Sequence, residues 1–215
     1  MDFKLMLVAG GTALCFVAKA ATVQVTVLAR DGKPLPNAVV VVEPAGDSRP
    51  APPAPVRAII AQEKMQFLPA VSVLPVGSRV TFVNQDAWEH HVRGVPAGMA
   101  GLNAKATGIE LRLAGKVEGE TPAAAEVTLD NTGALQLGCH LHGSMRGFVY
   151  VTDSPFAVQT DSNGVAVMRD VPEGAATVRV WHSDQLVEGG STELTITPVT
   201  AVSVPTQVTP RRRRL

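Results

Sequence analysis

The most informative ten residues of this chain are Gly138-Cys139-His140-Leu141-His142-Gly143-Ser144-Met145-Arg146-Gly147. They place a cysteine, a histidine and a methionine in the spacing C-x2-H-x2-M. Two more histidines lie upstream in Trp88-Glu89-His90-His91-Val92, so these clusters hold four of the five histidines. One thiolate, two imidazoles and a weak axial thioether are the ligands of a blue-copper electron-transfer site. Together the two clusters predict a copper site.

The beginning of the chain indicates export. A short head with one lysine precedes the apolar run Leu5 to Val17, and Ala18-Lys19-Ala20 is a small-x-small cleavage site. These features predict a secretory signal peptide over residues 1–20 and a periplasmic product. Cys15 would leave with that peptide, so Cys139 would be the one remaining thiol. An unpaired thiol in an oxidising compartment needs burial or a metal, which agrees with a ligand role for Cys139.

The composition favours an all-β fold and excludes several other classes. Of 215 residues 46% are apolar, and 19 Lys and Arg balance 19 Asp and Glu. A disordered chain would be less apolar, and a nucleic-acid binder would carry excess positive charge. Abundant Val and Thr with 19 Gly and 16 Pro is typical of short strands joined by tight turns. After the predicted signal peptide we expect no integral membrane segment, no nucleic-acid partner and a monomer.

The middle of the chain resembles the cupredoxins, closest to their amicyanin and plastocyanin branch. The resemblance is carried by residues 59–69, 76–84 and 129–133 and by the run from Gly138 to Val151. The whole chain also looks like cupredoxin-like proteins described as methylamine utilization proteins, which carry His-His-Val and Gly-Cys-x-x-His-x-x-Met. The resemblance implies a cupredoxin Greek-key β-sandwich over residues 56–152.

The same resemblance implies a ligand set for one mononuclear type 1 copper. It assigns the thiolate to Cys139, one imidazole to His142 and the axial thioether to Met145. His90 falls on the position of the other imidazole, while His91 falls on that of an asparagine that ties the two ligand loops together. Neighbours on a strand point to opposite faces, so one of the two histidines is the ligand; we expect His90, with His91 as the alternative. Asn84 and His140 are expected beside the site, as supporting residues or alternative ligands.

The remaining segments predict a second, smaller β-sandwich. Residues 21–46 and 153–205 each show strands and turns, but neither segment has enough strands to bury a core alone. Together they resemble the two ends of a transthyretin-like or carboxypeptidase-regulatory-like (Ig-like) sandwich, into which the cupredoxin would be inserted. Alternatively, Thr22 to Glu43 adds strands to the cupredoxin sheet. Residues 47–55 read as a Pro-rich linker and residues 206–215 as a basic tail.

These features lead to an exported type 1 copper protein that shuttles single electrons between redox partners. We expect a partner protein to dock near His142, the ligand closest to the surface. The alternative is a periplasmic copper chaperone or sequestration protein, in which His91 and His140 serve as extra ligands. An enzyme is not expected, since the sequence has no nucleophile-plus-base motif, no phosphate loop and no second copper cluster of the multicopper oxidase kind.

Overall fold

The computed structural model describes residues 20–46, 50–101, 109–185 and 187–211. Over these residues the chain forms sixteen β-strands, and the 3-10 turn Gly98–Gly101 follows the seventh, so the predicted all-β class is confirmed. None of the helical structure in these ranges is long and apolar enough to cross a membrane. The predicted signal peptide lies outside the described residues except for Ala20, which is the first residue of β1.

The strands are, in chain order, β1 (Ala20–Leu28), β2 (Val39–Pro44), β3 (Arg57–Glu63), β4 (Gln66–Leu68), β5 (Val71–Pro75), β6 (Arg79–Asn84), β7 (His90–Pro96), β8 (Glu110–Leu113), β9 (Ala124–Thr128), β10 (Gly133–Cys139), β11 (Arg146–Thr152), β12 (Ala157–Gln159), β13 (Val165–Pro172), β14 (Gly174–Trp181), β15 (Thr192–Ile196) and β16 (Val199–Pro205).

Residues 57–152 form the first sandwich. One sheet has the strand order β4-β3-β6-β9 and the other β5-β11-β10-β7-β8. The pairs β3 with β6 and β5 with β11 are parallel, and the remaining pairs are antiparallel. Side chains of both sheets fill one core, in which Ile60, Phe82, Leu137 and Val149 are fully buried. This architecture agrees with the predicted β-sandwich class, and the domain bounds of 56–152 stay a prediction.

Period-two alternation explains why these segments are strands. In β6 the side chains of Val80, Phe82 and Asn84 are buried, while their neighbours are exposed or half-buried. β-branched and aromatic side chains at alternate positions suit a pleated sheet with one face in the core. Asn84 breaks the apolar pattern at the last position of the strand, and that position lies beside the candidate site described below.

The second sandwich combines the two ends of the described chain. Its sheets have the orders β13-β1-β16 and β12-β2-β14-β15. The β1–β16 pair is parallel and the β1–β13 pair antiparallel, so β1 is the central strand of its sheet. The shared core takes side chains from residues 21–42 and from residues 156–208. Residues 20–44 are therefore paired with strands from the C-terminal part of the chain and not with the sheets of the first sandwich. The division into separately folding domains stays a prediction.

The packed part of the second sandwich extends into the predicted basic tail. Val208 is a buried member of its core. The Val208 carbonyl accepts a hydrogen bond from the Arg30 amide at 2.9 Å, and the Thr206 amide donates to the Leu28 carbonyl at 2.8 Å. The Arg211 amide donates to Asp184 Oδ2. Three of the four arginines of the tail, Arg212 to Arg214, lie outside the described residues.

A small apolar cluster joins the two sandwiches. β11 turns Val149 and Val151 toward its own core, while Phe148 and Tyr150 on the opposite face contact Trp181 at the end of β14. Both ring centroids lie 5.7 Å from that of Trp181. Just after β11, the Ser154 hydroxyl donates to the Val42 carbonyl of β2. The central part of the five-stranded sheet is thereby covered on both faces.

Limited proteolysis tests how the two sandwiches are joined. Residues 50–56 form no strand and are mostly exposed, whereas Ser154 and Phe156 at the other junction are buried. A protease of broad specificity should therefore cut within residues 50–56 and spare residues 153–156. We expect the fragments to stay together in size-exclusion chromatography and to separate in denaturant. Release of a free core covering residues 57–152 would contradict this expectation.

Gly147 provides a test of packing in the first sandwich. A Cβ at this position would lie 2.7 Å from Phe67 Cβ, whereas one at Gly143 would meet nothing within 4 Å. We expect Gly147→Ala to lower the free energy of unfolding by about 1–3 kcal/mol because it overpacks the space between the sheets. The matched control Gly143→Ala should change it by less than about 0.5 kcal/mol. Equal effects of the two variants in denaturant titrations would refute the packing argument.

Candidate metal centre

Three of the predicted site residues converge at one end of the first sandwich. His90 is the first residue of β7, Cys139 is the last residue of β10, and His142 follows in the turn to β11. The Cys139 Sγ atom lies 3.5 Å from His90 Nδ1 and 3.5 Å from His142 Nδ1. One ligand atom from each residue lies within 4.8 Å of the others, so this group could hold a metal ion.

The three side chains differ in exposure. His90 is fully buried and Cys139 is nearly so, while His142 is half-buried. The two imidazole rings meet edge to face with centroids 4.9 Å apart. Cys139 is a free thiol. The centre is therefore closed on the His90 side and reaches the surface at His142.

Strand register decides which of the neighbouring histidines faces the thiol. Cys139 is paired with Val92 in the antiparallel β7–β10 ladder, and both side chains point into the core. Because side chains alternate along a strand, His90 points inward with Val92 and His91 points outward. The structure brings His90 to Cys139 and places the His91 ring on the outer face, with His140. The backbone amide of His91 nevertheless donates a hydrogen bond to Cys139 Sγ at 3.4 Å.

Asp86 is a site residue that sequence reasoning missed. Its Oδ2 lies 2.8 Å from His90 Nε2, and both groups are buried. The carboxylate also accepts hydrogen bonds from the backbone amides of Lys64 at 2.6 Å and Met65 at 3.0 Å. It therefore fixes the His90 ring with Nδ1 turned toward Cys139. The available signal was a carboxylate just after a buried strand and four residues before His90.

Hydrogen bonding keeps the Asp86 carboxylate ionised. Burial raises the pKa of Asp86, but the hydrogen bonds from the Met65 amide, His90 and the Lys64 amide outweigh that effect and hold its pKa below the ordinary value. An ionised carboxylate is the stronger acceptor for the His90 ring N–H. It also leaves the other ring nitrogen of His90 available as an electron-pair donor to a metal.

Asn84 supports the loop that leads to His90. Its Nδ2 group donates to the carbonyls of Trp88, Leu113 and Ala114 at 2.8–3.1 Å, and its Oδ1 accepts from the Asp86 amide. The side chain is fully buried, so these bonds replace the water it has lost. The Asn84 side chain thereby connects the loop before His90 to the end of β8 through hydrogen bonds.

Met145 closes the turn that carries His142. Its amide donates to the His142 carbonyl at 2.9 Å, and its side chain is 1% exposed. It belongs to the same core cluster as Cys139. His140, in contrast, is exposed, and its ring stacks on that of His91. Of the predicted supporting residues, Asn84 is therefore buried in the core, whereas His91 and His140 form a pair on the outer face.

The three donors of His90, Cys139 and His142 suit a transition metal such as copper or zinc. A thiolate is a soft ligand, and imidazole is accepted by both of these metals. The carboxylate nearest the centre, Asp86, is engaged with His90 and two backbone amides. An oxygen-rich site of the kind that calcium or magnesium needs is therefore not formed by these side chains.

No protein-family model matches the chain, and no curated protein matches it. Among solved structures, it is similar to a reduced-state amicyanin variant, with 28% identity over 45% of this chain and 82% of that chain and a TM-score of 0.32. A reduced Cu(I) amicyanin variant at pH 4 gives the same values. A purple cupredoxin from Nitrosopumilus maritimus has 19% identity over 44% and 99% of the two chains and a TM-score of 0.34. Because these scores are low, the metal centre is assigned from its own residues.

Asp86→Asn tests whether this carboxylate prepares His90 for a metal. Loss of the charged acceptor should leave His90 less firmly oriented and weaken Cu(I) binding by about 10- to 100-fold. Glu89→Gln is the matched control, since Glu89 is an exposed carboxylate on the same loop. Competition with a colorimetric Cu(I) chelator measures both affinities. Unchanged affinity in a folded Asp86→Asn variant would remove Asp86 from the site.

Proposed function

We propose that this protein is an exported type 1 copper protein that carries single electrons. The observation that supports this most directly is the convergence of His90, Cys139 and His142 in one nearly buried centre. Copper bound there would accept one electron as Cu(II) and release it as Cu(I). In this proposal the fourth ligand is Met145, whose thioether is buried in the same core.

Each proposed ligand has a separate role. The Cys139 thiolate provides a soft, covalent bond, and His90 and His142 provide nitrogen donors acceptable to both copper oxidation states. The Met145 thioether would supply a weak fourth ligand that tunes the reduction potential. The hydrogen bond from the His91 amide to Cys139 Sγ stabilises the negative sulfur. Each of the four proposed ligands therefore contributes a different property to the site.

The surroundings of the centre favour electron transfer because they hold its residues still. Asp86 fixes the His90 ring, Asn84 fixes the loop before it, and the Met145 amide closes the turn from His142. Ligands that are held in place move little when the charge of the metal changes. Such a centre needs no bound substrate and no large rearrangement to exchange an electron.

His142 is the proposed point of electron entry and exit. It is half-buried, and its neighbour Leu141 is 52% exposed. An apolar surface around one exposed ring edge suits brief contact with a redox partner protein, at the small end of interface sizes. We propose a monomer that docks there. The formal net charge of zero is consistent with local rather than long-range steering.

The proposed location is the periplasm. It is supported by the signal-peptide pattern of residues 1–20 and by the free Cys139 thiol. In an oxidising compartment a thiol is protected from exchange and oxidation when it is buried or bound to a metal. We also propose that the protein is related to the methylamine utilization proteins and that it is not an enzyme.

A second candidate function is copper storage or delivery. The stacked rings of His91 and His140 lie on the outer face of the sheet, opposite the centre, and add imidazole nitrogens that electron transfer does not require. A chaperone or sequestration protein would use such donors to receive or pass on the ion. Redox cycling would then be incidental.

Copper(II) titration distinguishes these functions. The electron carrier should turn intensely blue with one equivalent of copper, because thiolate-to-copper charge transfer dominates such a site. Cys139→Ser should abolish the colour. His90→Ala should also abolish it, whereas the neighbouring His91→Ala should keep it. His142→Ala, at a half-buried position, serves as a second ligand variant that is not expected to disturb the core.

Two results would reject the electron-carrier proposal. If Cys139→Ser keeps the blue colour, the thiolate is not a ligand. If the protein instead forms a colourless Cu(I) complex that resists oxidation, the storage or delivery function is favoured.

A further inference from the structure

Two histidines stack on the outer face of the five-stranded sheet, away from the centre. The rings of His91 and His140 have centroids 4.9 Å apart and planes inclined by 28°. Neither ring belongs to the group formed by His90, Cys139 and His142. His140 is exposed and the His91 side chain is 19% exposed, so solution reaches the pair.

The backbone holds the pair together. Cys139 is paired with Val92 in the β7–β10 ladder, and the His140 amide donates to the His91 carbonyl at 3.2 Å. His140 is the first residue after β10, and this hydrogen bond holds it beside His91 at the end of the ladder. The proximity of the two imidazoles therefore follows from the end of the β7–β10 pairing and from this one bond.

A carboxylate from a third strand completes the cluster. Glu110 begins β8, and its Oε1 lies 3.5 Å from His91 Nε2. Its side chain is 61% exposed and free to adjust. On the same strand, Arg112 is opposite His91, but its guanidinium faces Glu89 at 4.0 Å. His91 is thus the central member of the cluster, with the His140 ring stacked on it and the Glu110 carboxylate beside its Nε2.

We propose that His91, His140 and Glu110 form a second metal site, for a divalent transition-metal ion. Imidazole and carboxylate are the donors that Cu(II) and Zn(II) accept, and in this set Cu(II) binds more tightly than Zn(II). In the structure the two rings are stacked, so metal binding at this site requires the exposed His140 ring to rotate until one of its nitrogens faces His91 Nε2. The protein supplies three ligands, and the remaining positions on the ion stay open to water.

The second site is separate from the first but close to it in the chain. Its ligands lie on the outer face of the sheet, and those of the first centre lie on the inner face. His140 is bonded covalently to Cys139, and the His91 amide donates to Cys139 Sγ. This inference does not depend on the proposed electron-transfer function, because it uses none of the inner ligands.

Zinc titration of the whole protein tests the second site. The inner centre is first offered one equivalent of Cu(I) without oxygen, its copper content is measured, and Zn²⁺ binding is then followed by calorimetry. The unmodified protein should bind one equivalent of Zn²⁺. His140→Ala should weaken that binding by at least about 10-fold, since even the loss of an outer-shell partner has such an effect. Glu110→Gln should weaken it less, and the control Arg112→Ala should leave it unchanged.

The design keeps the two proposals distinguishable. The Cu(I) content reports on the inner centre, whereas the difference in Zn²⁺ uptake between the unmodified protein and His140→Ala reports on the outer site whether or not the inner one fills. A second measurement titrates the protein with Cu²⁺. The second equivalent of Cu²⁺ should add an electron paramagnetic resonance signal typical of nitrogen and oxygen ligands, and it should not deepen the blue colour. The second site is overturned if the unmodified protein binds no such equivalent, or if His140→Ala binds it equally well.

Discussion

The antiparallel register between β7 and β10 is the constraint on which both histidine clusters depend. Cys139 opposite Val92 puts one set of side chains in the core and the next set on the surface. Since side chains alternate with a period of two, a slip of one residue would bury His91 and expose His90. The end of the same ladder holds His140 beside His91. One backbone ladder thus produces an inner centre with sulfur and an outer pair without it.

Three buried polar residues beside the candidate centre are tolerated because their side chains have hydrogen-bond partners. His90, Asp86 and Asn84 are all buried, and each would be costly without partners. Asp86 accepts from the His90 ring and two backbone amides, and Asn84 joins the loop to β8. Removal of one member would leave the buried groups that it bonds without that partner. This network restricts the loop that carries His90, so the geometry of the centre is set before a metal arrives.

The second sandwich contributes support at the opposite side of the same sheet. β11 presents Val149 and Val151 to its own core and Phe148 and Tyr150 to Trp181. The strand that follows the Met145 turn is therefore packed on both faces. Residues 20–44 share a core with residues 156–208. The contact of Trp181 with Phe148 and Tyr150 then joins that sandwich to the one that carries the site.

The sequence by itself determined the features that depend on local order. The alternation of apolar residues with turn residues indicated an all-β chain, and C-x2-H-x2-M placed three candidate ligands within seven residues, where a single strand end and turn can present them. Tertiary structure decided what depends on residues distant in the chain. Period-two geometry allowed either His90 or His91, and pairing with a strand nearly fifty residues later brought His90 to the thiol. The partnership of Asp86 with His90, and that of His91 with His140 and Glu110, arises from loops and strand pairs that no local pattern specifies, because side-chain contacts across a sheet are set by register.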